Sequence, residues 1–229
     1  AYPWVGPPPE LYGWEVTNYN GVSVRNRTSI GDAYVSSSFF AGSERVKDGR
    51  FMLAYSQPHT DVAWNNLIGA DIEVVRNNLT LRGVYLQADT SFADRDDPSL
   101  DWSERMQAYS VAANLDFKDW FVLSEWTTNV RDNKAGSIAG VVITIPAVSL
   151  GVGYRWGAWT SFLNFSQYSE RSSDESVYAP SSFKQTSLVL RYDVNPQSAV
   201  KAQIVRHQEP LDTYERQLQV LRISYERVF

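Results

Sequence analysis

The residues of this chain that could do chemistry are its charges, and their spacing is regular. Arg25 and Arg27 stand two apart, as do Asp71 and Glu73, and Arg191 and Asp193. In an extended strand, positions two apart share a face, so each pair is aimed to one side. The same phase gathers Arg82, Arg131, Arg155, Lys201, Arg206 and Arg222 with Asp116, Glu125, Glu209 and Glu226. Charges of both signs facing across a narrow aqueous space set up a transverse field that orients polar solutes and biases ion passage. The plainer reading is that many of them pair and brace a wall. Arg25 and Arg27, beside the aromatic segment Ala1 to Trp14, are the best candidates for an anion-attracting patch.

Other reactive groupings are sparse. Tyr2, Trp4, Tyr12 and Trp14 could form stacking surfaces for sugars or other planar solutes, or could pack their loop against a wall. Asp94, Asp96, Asp97 and Asp101 lack the spacing of a calcium loop and read as a solvated external loop. Two histidines, His59 and His207, occur without a G-x-S-x-G nucleophile motif, so no enzyme is expected. The Gly151-Val152-Gly153 run sits inside a strand and is no dinucleotide fingerprint. There is no cysteine, hence no disulfide scaffold and no thiolate chemistry. No cofactor, metal or nucleic-acid partner is expected.

The elements that must position these charges are strands. From Asn20 onward apolar and polar residues alternate, with tight-turn signals at Gly31-Asp32, Asn77-Asn78, Lys118-Asp119, Gly157-Ala158 and Asn195-Pro196. The predicted hairpins are Asn20 to Ile30 with Ala33 to Ala41, Trp64 to Arg76 with Leu79 to Asp89, and Arg105 to Phe117 with Trp120 to Arg131. Val141 to Trp156 then pairs with Trp159 to Ser169, and Lys184 to Asp193 with Ser198 to Gln208, before a last strand from Arg216 to Phe229. A further short strand could lie at Phe51 to Tyr55 or among Trp14 to Asn20. Long polar loops alternate with the short turns, so the two kinds fall on opposite sides. That is the asymmetry of a transmembrane barrel, and the 14% aromatic content suits its interfacial girdles. A soluble sandwich with an aromatic core is the competing architecture on composition alone. No apolar run is long enough for a membrane helix.

Five hairpins and a terminal strand make eleven strands. The first and last then run the same way, and an antiparallel barrel cannot close between them. An open edge in lipid leaves backbone groups unsatisfied, so an odd number of further strands is expected. With no signal peptide before Ala1, the chain reads as processed or as a piece of something longer.

The segments Ala1 to Gly13 (AYPWVGPPPELYG), Asn77 to Asp89 (NNLTLRGVYLQAD) and Arg191 to Glu209 (RYDVNPQSAVKAQIVRHQE), with a final strand closing on Phe229, resemble the Gram-negative outer-membrane porins, in particular porin-like proteins related to the phosphate-selective porins. Arg227 departs from the usual apolar pattern of such a last strand. The resemblance implies an all-β fold: a transmembrane antiparallel barrel with about 11 to 12 strands in this chain, part of a 16-stranded porin whose other strands would precede Ala1. It also implies that residues 1–229 form one domain, with 1–19 the loop that folds into the pore. It implies passive diffusion of small hydrophilic solutes or ions across the outer membrane, a homotrimer, and contact with membrane lipids and lipopolysaccharide. Two alternatives remain: a complete 12-stranded solute-specific channel, and a non-conducting structural or adhesin barrel. The expected pore-lining residues are Arg25, Arg27, Arg82, Glu125, Arg155, Arg191, Arg222, Tyr2, Trp4 and Tyr12.

Overall fold

The computed structural model describes residues 3–6, 18–49, 59–210 and 215–227. Within them lie β1 (Asn20–Ile30), β2 (Ala33–Val46), β3 (Thr60–Arg76), β4 (Leu79–Asp94), β5 (Trp102–Asp116) and β6 (Trp120–Ala135). These are followed by β7 (Val142–Trp156), β8 (Trp159–Ser169), β9 (Arg171–Ser172), β10 (Ser182–Asn195), β11 (Ser198–Pro210) and β12 (Glu215–Arg227). Each long strand pairs antiparallel with its sequence neighbours in one sheet, and the two-residue β9 lies off that path, against β7. Among the described residues eleven long strands therefore make the wall, as the alternation predicted. β1 and β12 run the same way and stand at opposite edges of the sheet.

The short turns follow from residue type. Gly31, Asn77 and Gly157 take positive φ of 59°, 51° and 58°, the left-handed conformation that two-residue hairpin turns need to match strand twist. The fifth turn falls at Pro196 and Gln197, one residue later than expected, because β10 runs on through Asn195 past a register shift. At the long-loop side the strands outrun the hydrophobic alternation: β4 reaches Asp94 and β6 reaches Ala135. The candidate strand at Phe51 to Tyr55 lies outside the described residues, and so does Phe229.

One face of the sheet is greasy and exposed. Leu150, Leu163, Leu188, Leu221 and Ile223 project from it, Ile223 with 71% of its surface open. Near the short turns this face carries ring pairs, Trp120 with Tyr154 at 4.6 Å and Trp159 with Tyr192 at 4.6 Å, and on the other side Tyr85 with Tyr109 at 5.3 Å. An apolar band between two aromatic rows is what a bilayer core and its interfaces select. Beyond the upper row the same face turns polar, where Arg105 pairs with Asp89 at 2.9 Å.

The other face is tighter than a water-filled wall would require. On β3 to β5, toward the long loops, Val62, Trp64, Leu67, Phe92 and Met106 form a buried apolar cluster, with Phe92 stacked on Trp102 at 4.0 Å. A register shift between Asn65 and Ile68, with Asn66 at φ 51°, turns Trp64 to this face. Farther along, Gly151 and Gly153 leave room for rings. A Cβ on Gly153 would lie 1.9 Å from the Phe121 ring, and one on Gly151 2.1 Å from Phe162. Phe121 and Phe162 thus lie flat over β7 and stack at 5.6 Å.

Candidate functional site

The inner face is organised around a segment of the chain that sits within it. Pro3 to Gly6 lies against β8, β11 and β12. The Gln203 side-chain oxygen accepts the N–H of Val5 at 2.9 Å and of Gly6 at 3.1 Å. The Lys201 ammonium donates to the Trp4 carbonyl at 3.2 Å and to Glu226 at 2.7 Å. The Trp4 ring meets Phe162 at 5.7 Å and joins the cluster of Phe121, Phe162 and Val189. Gln203 and Lys201 are buried beneath this segment, at 1% and 2% exposure. The same Trp4 lines a recess with Glu73 of β3, Arg82 of β4, Ser110 of β5, Glu125 of β6 and Ser149 of β7. One segment therefore reaches strands from β3 to β12, which it can do only because the sheet curves around it.

Register explains why charges collect where they do. Glu73, Arg82, Ala112, Glu125 and Ser149 are successive cross-strand partners from β3 to β7. The row continues from Glu73 back through Ser36 to Arg27 on β1. A second row, nearer the short turns, aligns Arg155, Thr160, Arg191, Lys201 and Ser224 from β7 to β12. Ser149 and Arg155 are six residues apart on β7, so the two belts are separated by about 20 Å along the strand.

The second belt is largely neutralised. Arg155 holds Asp116 through two bonds of 2.7 and 3.1 Å, donates to the Phe117 carbonyl at 3.1 Å, and lies 4.4 Å over the Phe121 ring. Arg191 meets Asp193 at 2.6 Å and Glu226 at 4.0 Å. For these two arginines the wall-bracing role is what the contacts support. With Pro3, Asn114, Phe121 and Thr160 they border a cavity of about 530 Å³. Arg25, Arg27, Arg82 and Arg222 lie on the same face without an ion pair among the described residues. Glu125 accepts from Ser110 at 2.8 Å.

Of the expected pore-lining residues, the structure brings Trp4, Arg82 and Glu125 to one recess and Arg155 and Arg191 to the neighbouring cavity. Arg222 stands beside Gly6, where a Cβ would come within 2.7 Å of its guanidinium. Arg25 and Arg27 lie at the far edge on β1, exposed. Tyr2 and Tyr12 lie outside the described residues, as does Trp14. Arg206 is a correction. It pairs in register with Thr186 and Gln219, shares the outward face with Ile204 and Leu221, and donates to Gln217 at 3.0 Å. The inner residues of β11 carry odd numbers, so an even-numbered arginine cannot be one of them. Its place near the long-loop end puts its charge beyond the apolar band, where a long side chain reaches water.

Outside the band the loop acids serve the backbone. Asp94 accepts the N–H groups of Asp96 and Asp97 at 2.8 Å each, and Asp101 accepts that of Asp94 at 2.8 Å. Asp97 caps the short 3-10 turn Pro98–Leu100 by accepting from Ser99, and those bonds hold its carboxyl below the usual range. His59, at φ 61°, stands 3.6 Å from Asp48 in the loop before β3, while His207 lies on β11 between Gln185 and Leu218. Sequence reasoning missed Gln203. Its only signal was its place in the inward phase of β11, between Lys201 and Val205.

No protein-family model matches the chain, and no curated protein sequence does. Solved structures do. The outer-membrane channel DcaP of Acinetobacter baumannii superposes with a TM-score of 0.65 at 10% identity, over 90% of this chain and 62% of that one. OmpT, an outer-membrane protein of Vibrio cholerae in its trimer form, gives 0.57 at 10% identity, over 90% of this chain and 60% of that one. The chain thus spans less than two thirds of either barrel. The fold is that of an outer-membrane β-barrel.

Proposed function

We propose that this chain forms the larger part of the wall of a porin in the outer membrane of a Gram-negative bacterium. Small hydrophilic solutes and ions would cross it by passive diffusion. The observation that carries the reading is the docking of Pro3 to Gly6 inside the curved sheet. It narrows the lumen on the β8 to β12 side and leaves a charged recess against β3 to β7. Sieving is by the width left beside Trp4. Charge bias comes from Arg82, Glu73 and Glu125 at that point, with Arg25 and Arg27 farther along the wall.

The finer features belong to the same proposal. The four inner arginines without ion pairs favour anions, in keeping with a kinship to phosphate-selective porins. Copies assemble as a homotrimer, as OmpT was solved in trimer form, in contact with lipid and lipopolysaccharide. The protein is not an enzyme and uses no cofactor. Eleven strands whose edges run the same way support completion by an odd number of further strands, and β9, paired only to β7, adds none to the wall. Recording the intact protein in planar bilayers tests the reading. Ohmic steps with a reversal potential toward the anion are expected in a salt gradient. A silent, correctly folded barrel would favour the structural alternative, to which the dry cluster around Trp64 lends its one supporting observation.

A further inference from the structure

Arg82 on β4 and Glu73 on β3 face each other in register, yet neither makes an ion pair or a side-chain hydrogen bond among the described residues. On the other side of Arg82 the same row passes through Ala112 on β5 to Glu125 on β6. Glu125 is held in place by Ser110, whose hydroxyl donates to it at 2.8 Å. All five residues line the recess beside Trp4. Ala112 fills no more than a methyl group's space, so a gap two strands wide stays open between a guanidinium and a carboxylate. Neighbouring strands lie about 4.8 Å apart, which sets the backbones carrying Arg82 and Glu125 about 9.6 Å from each other.

That spacing has a chemical match. An α-amino acid holds its ammonium and carboxylate about 3 Å apart, because both are attached to one carbon. A charge-assisted hydrogen bond of about 2.8 Å at each end brings the span to about 9 Å. We propose that the recess is a binding site for small α-amino acids in passage, with Arg82 taking the carboxylate and Glu125 the ammonium. The inference rests on the channel reading above and adds the class of solute that the recess retains. Arg82 is exposed and uncommitted, so no internal pair has to break first. Two carboxylates and one guanidinium repel a simple anion and a simple cation alike, whereas a dipolar solute meets both signs at once. Arg25, Arg27 and Arg222 lie outside the recess, and the bias they give acts on net charge, which a zwitterion lacks. The recess holds about 150 Å³, below the roughly 300 Å³ at which pockets for drug-sized ligands begin, so the solute is a small one whose side chain lies against Trp4.

Free alanine added at pH 7 to the intact protein in a planar bilayer tests the site. Three relatives are compared with it: lactate without the ammonium, ethylamine without the carboxylate, and 4-aminobutyrate with its charges farther apart. Alanine should interrupt the ionic current at a concentration roughly tenfold or more below that needed for the others, the effect of one charge-assisted hydrogen bond. Arg82→Gln and Glu125→Gln should each remove that advantage, and having both guards against either failing to insert. Arg82→Glu combined with Glu125→Arg exchanges the two charges, keeps their sum, and should restore it. Open-channel current before any solute is added shows that each variant has folded. The site is overturned, and the channel left standing, by a conducting native protein in which alanine is no better than any of the three. Single variants that keep the advantage, or a double variant that conducts without it, overturn the site in the same way. A silent native protein removes the channel reading and the site together.

Discussion

Gln203 and Val5 are 198 positions apart, yet the amide oxygen of Gln203 accepts the Val5 N–H at 2.9 Å and, with the same atom, the Gly6 N–H at 3.1 Å. A buried side chain on β11 thus serves as the docking point for a segment that would otherwise have two backbone donors facing the lumen. Replacing it by Gln203→Leu leaves those donors unsatisfied, at about 1 to 3 kcal/mol each where they are shielded from water. That is enough to shift a docked population by roughly tenfold or more. Larger and noisier single-channel steps are expected, with the barrel's thermal stability little changed. Unaltered steps would mean that Pro3 to Gly6 does not narrow the path.

Arg82 has no ion pair among the described residues and faces the recess beside Trp4. Arg82→Gln should therefore lower anion preference, and Arg82→Glu should lower it further, read as a graded shift of reversal potential in a salt gradient. Stability should move by less than about 1 kcal/mol, as for an exposed charge without a fixed partner. Equal reversal potentials in all three proteins would place Arg82 away from the ion path.

The strands were legible because period-two alternation between the two faces survives in most hairpins and the turns at Gly31, Asn77 and Gly157 carry residues that tolerate positive φ, whereas Ala33 to Ala41, with Ser and Phe on both faces, gave no inward side. Leu150, Val152 and Tyr154 against Gly151, Gly153 and Arg155 make one such register plain. What was not legible depends on contacts between distant segments. The dry cluster around Trp64 needs a register shift at Asn66 that turns a polar-looking stretch inward. The docking by Gln203 looks from sequence like any inward polar residue. The charge of Arg206 does not mark the lumen, because beyond the apolar band either face meets water.

Gly153 is small because a ring occupies its space. Gly153→Val should disrupt the flat packing of Phe121 and Phe162, since even a Cβ would fall 1.9 Å from the Phe121 ring. A loss of the heat-modifiable folded band on gels is expected, and Phe121→Ala in the same chain should partly restore it. Failure of the second change to help would show that the clash lies elsewhere.

Acid should loosen the loop after β4. The bonds from Ser99 hold the Asp97 carboxyl below its ordinary value of 3.8. A carboxylate depressed in the folded state contributes stability above its unfolded pKa and loses it as pH falls through the lower folded value. Amide hydrogen exchange at residues 95–101, corrected for its intrinsic pH dependence, should be slow at pH 6 and accelerate below about pH 3.8, the group's ordinary value. Asp97→Asn should weaken that dependence.

A channel of this kind needs water inside the sheet and lipid outside it. Thiol block of single-channel current tests this directly, because Arg82→Cys places a thiol on the inner face and Leu163→Cys one on the outer of a sheet that has no other cysteine. A stepwise fall in current is expected when a charged, membrane-impermeant thiol reagent meets Arg82→Cys, and no change with Leu163→Cys. Current reduced through position 163 and indifferent at position 82 would put water on the apolar face and end the channel reading.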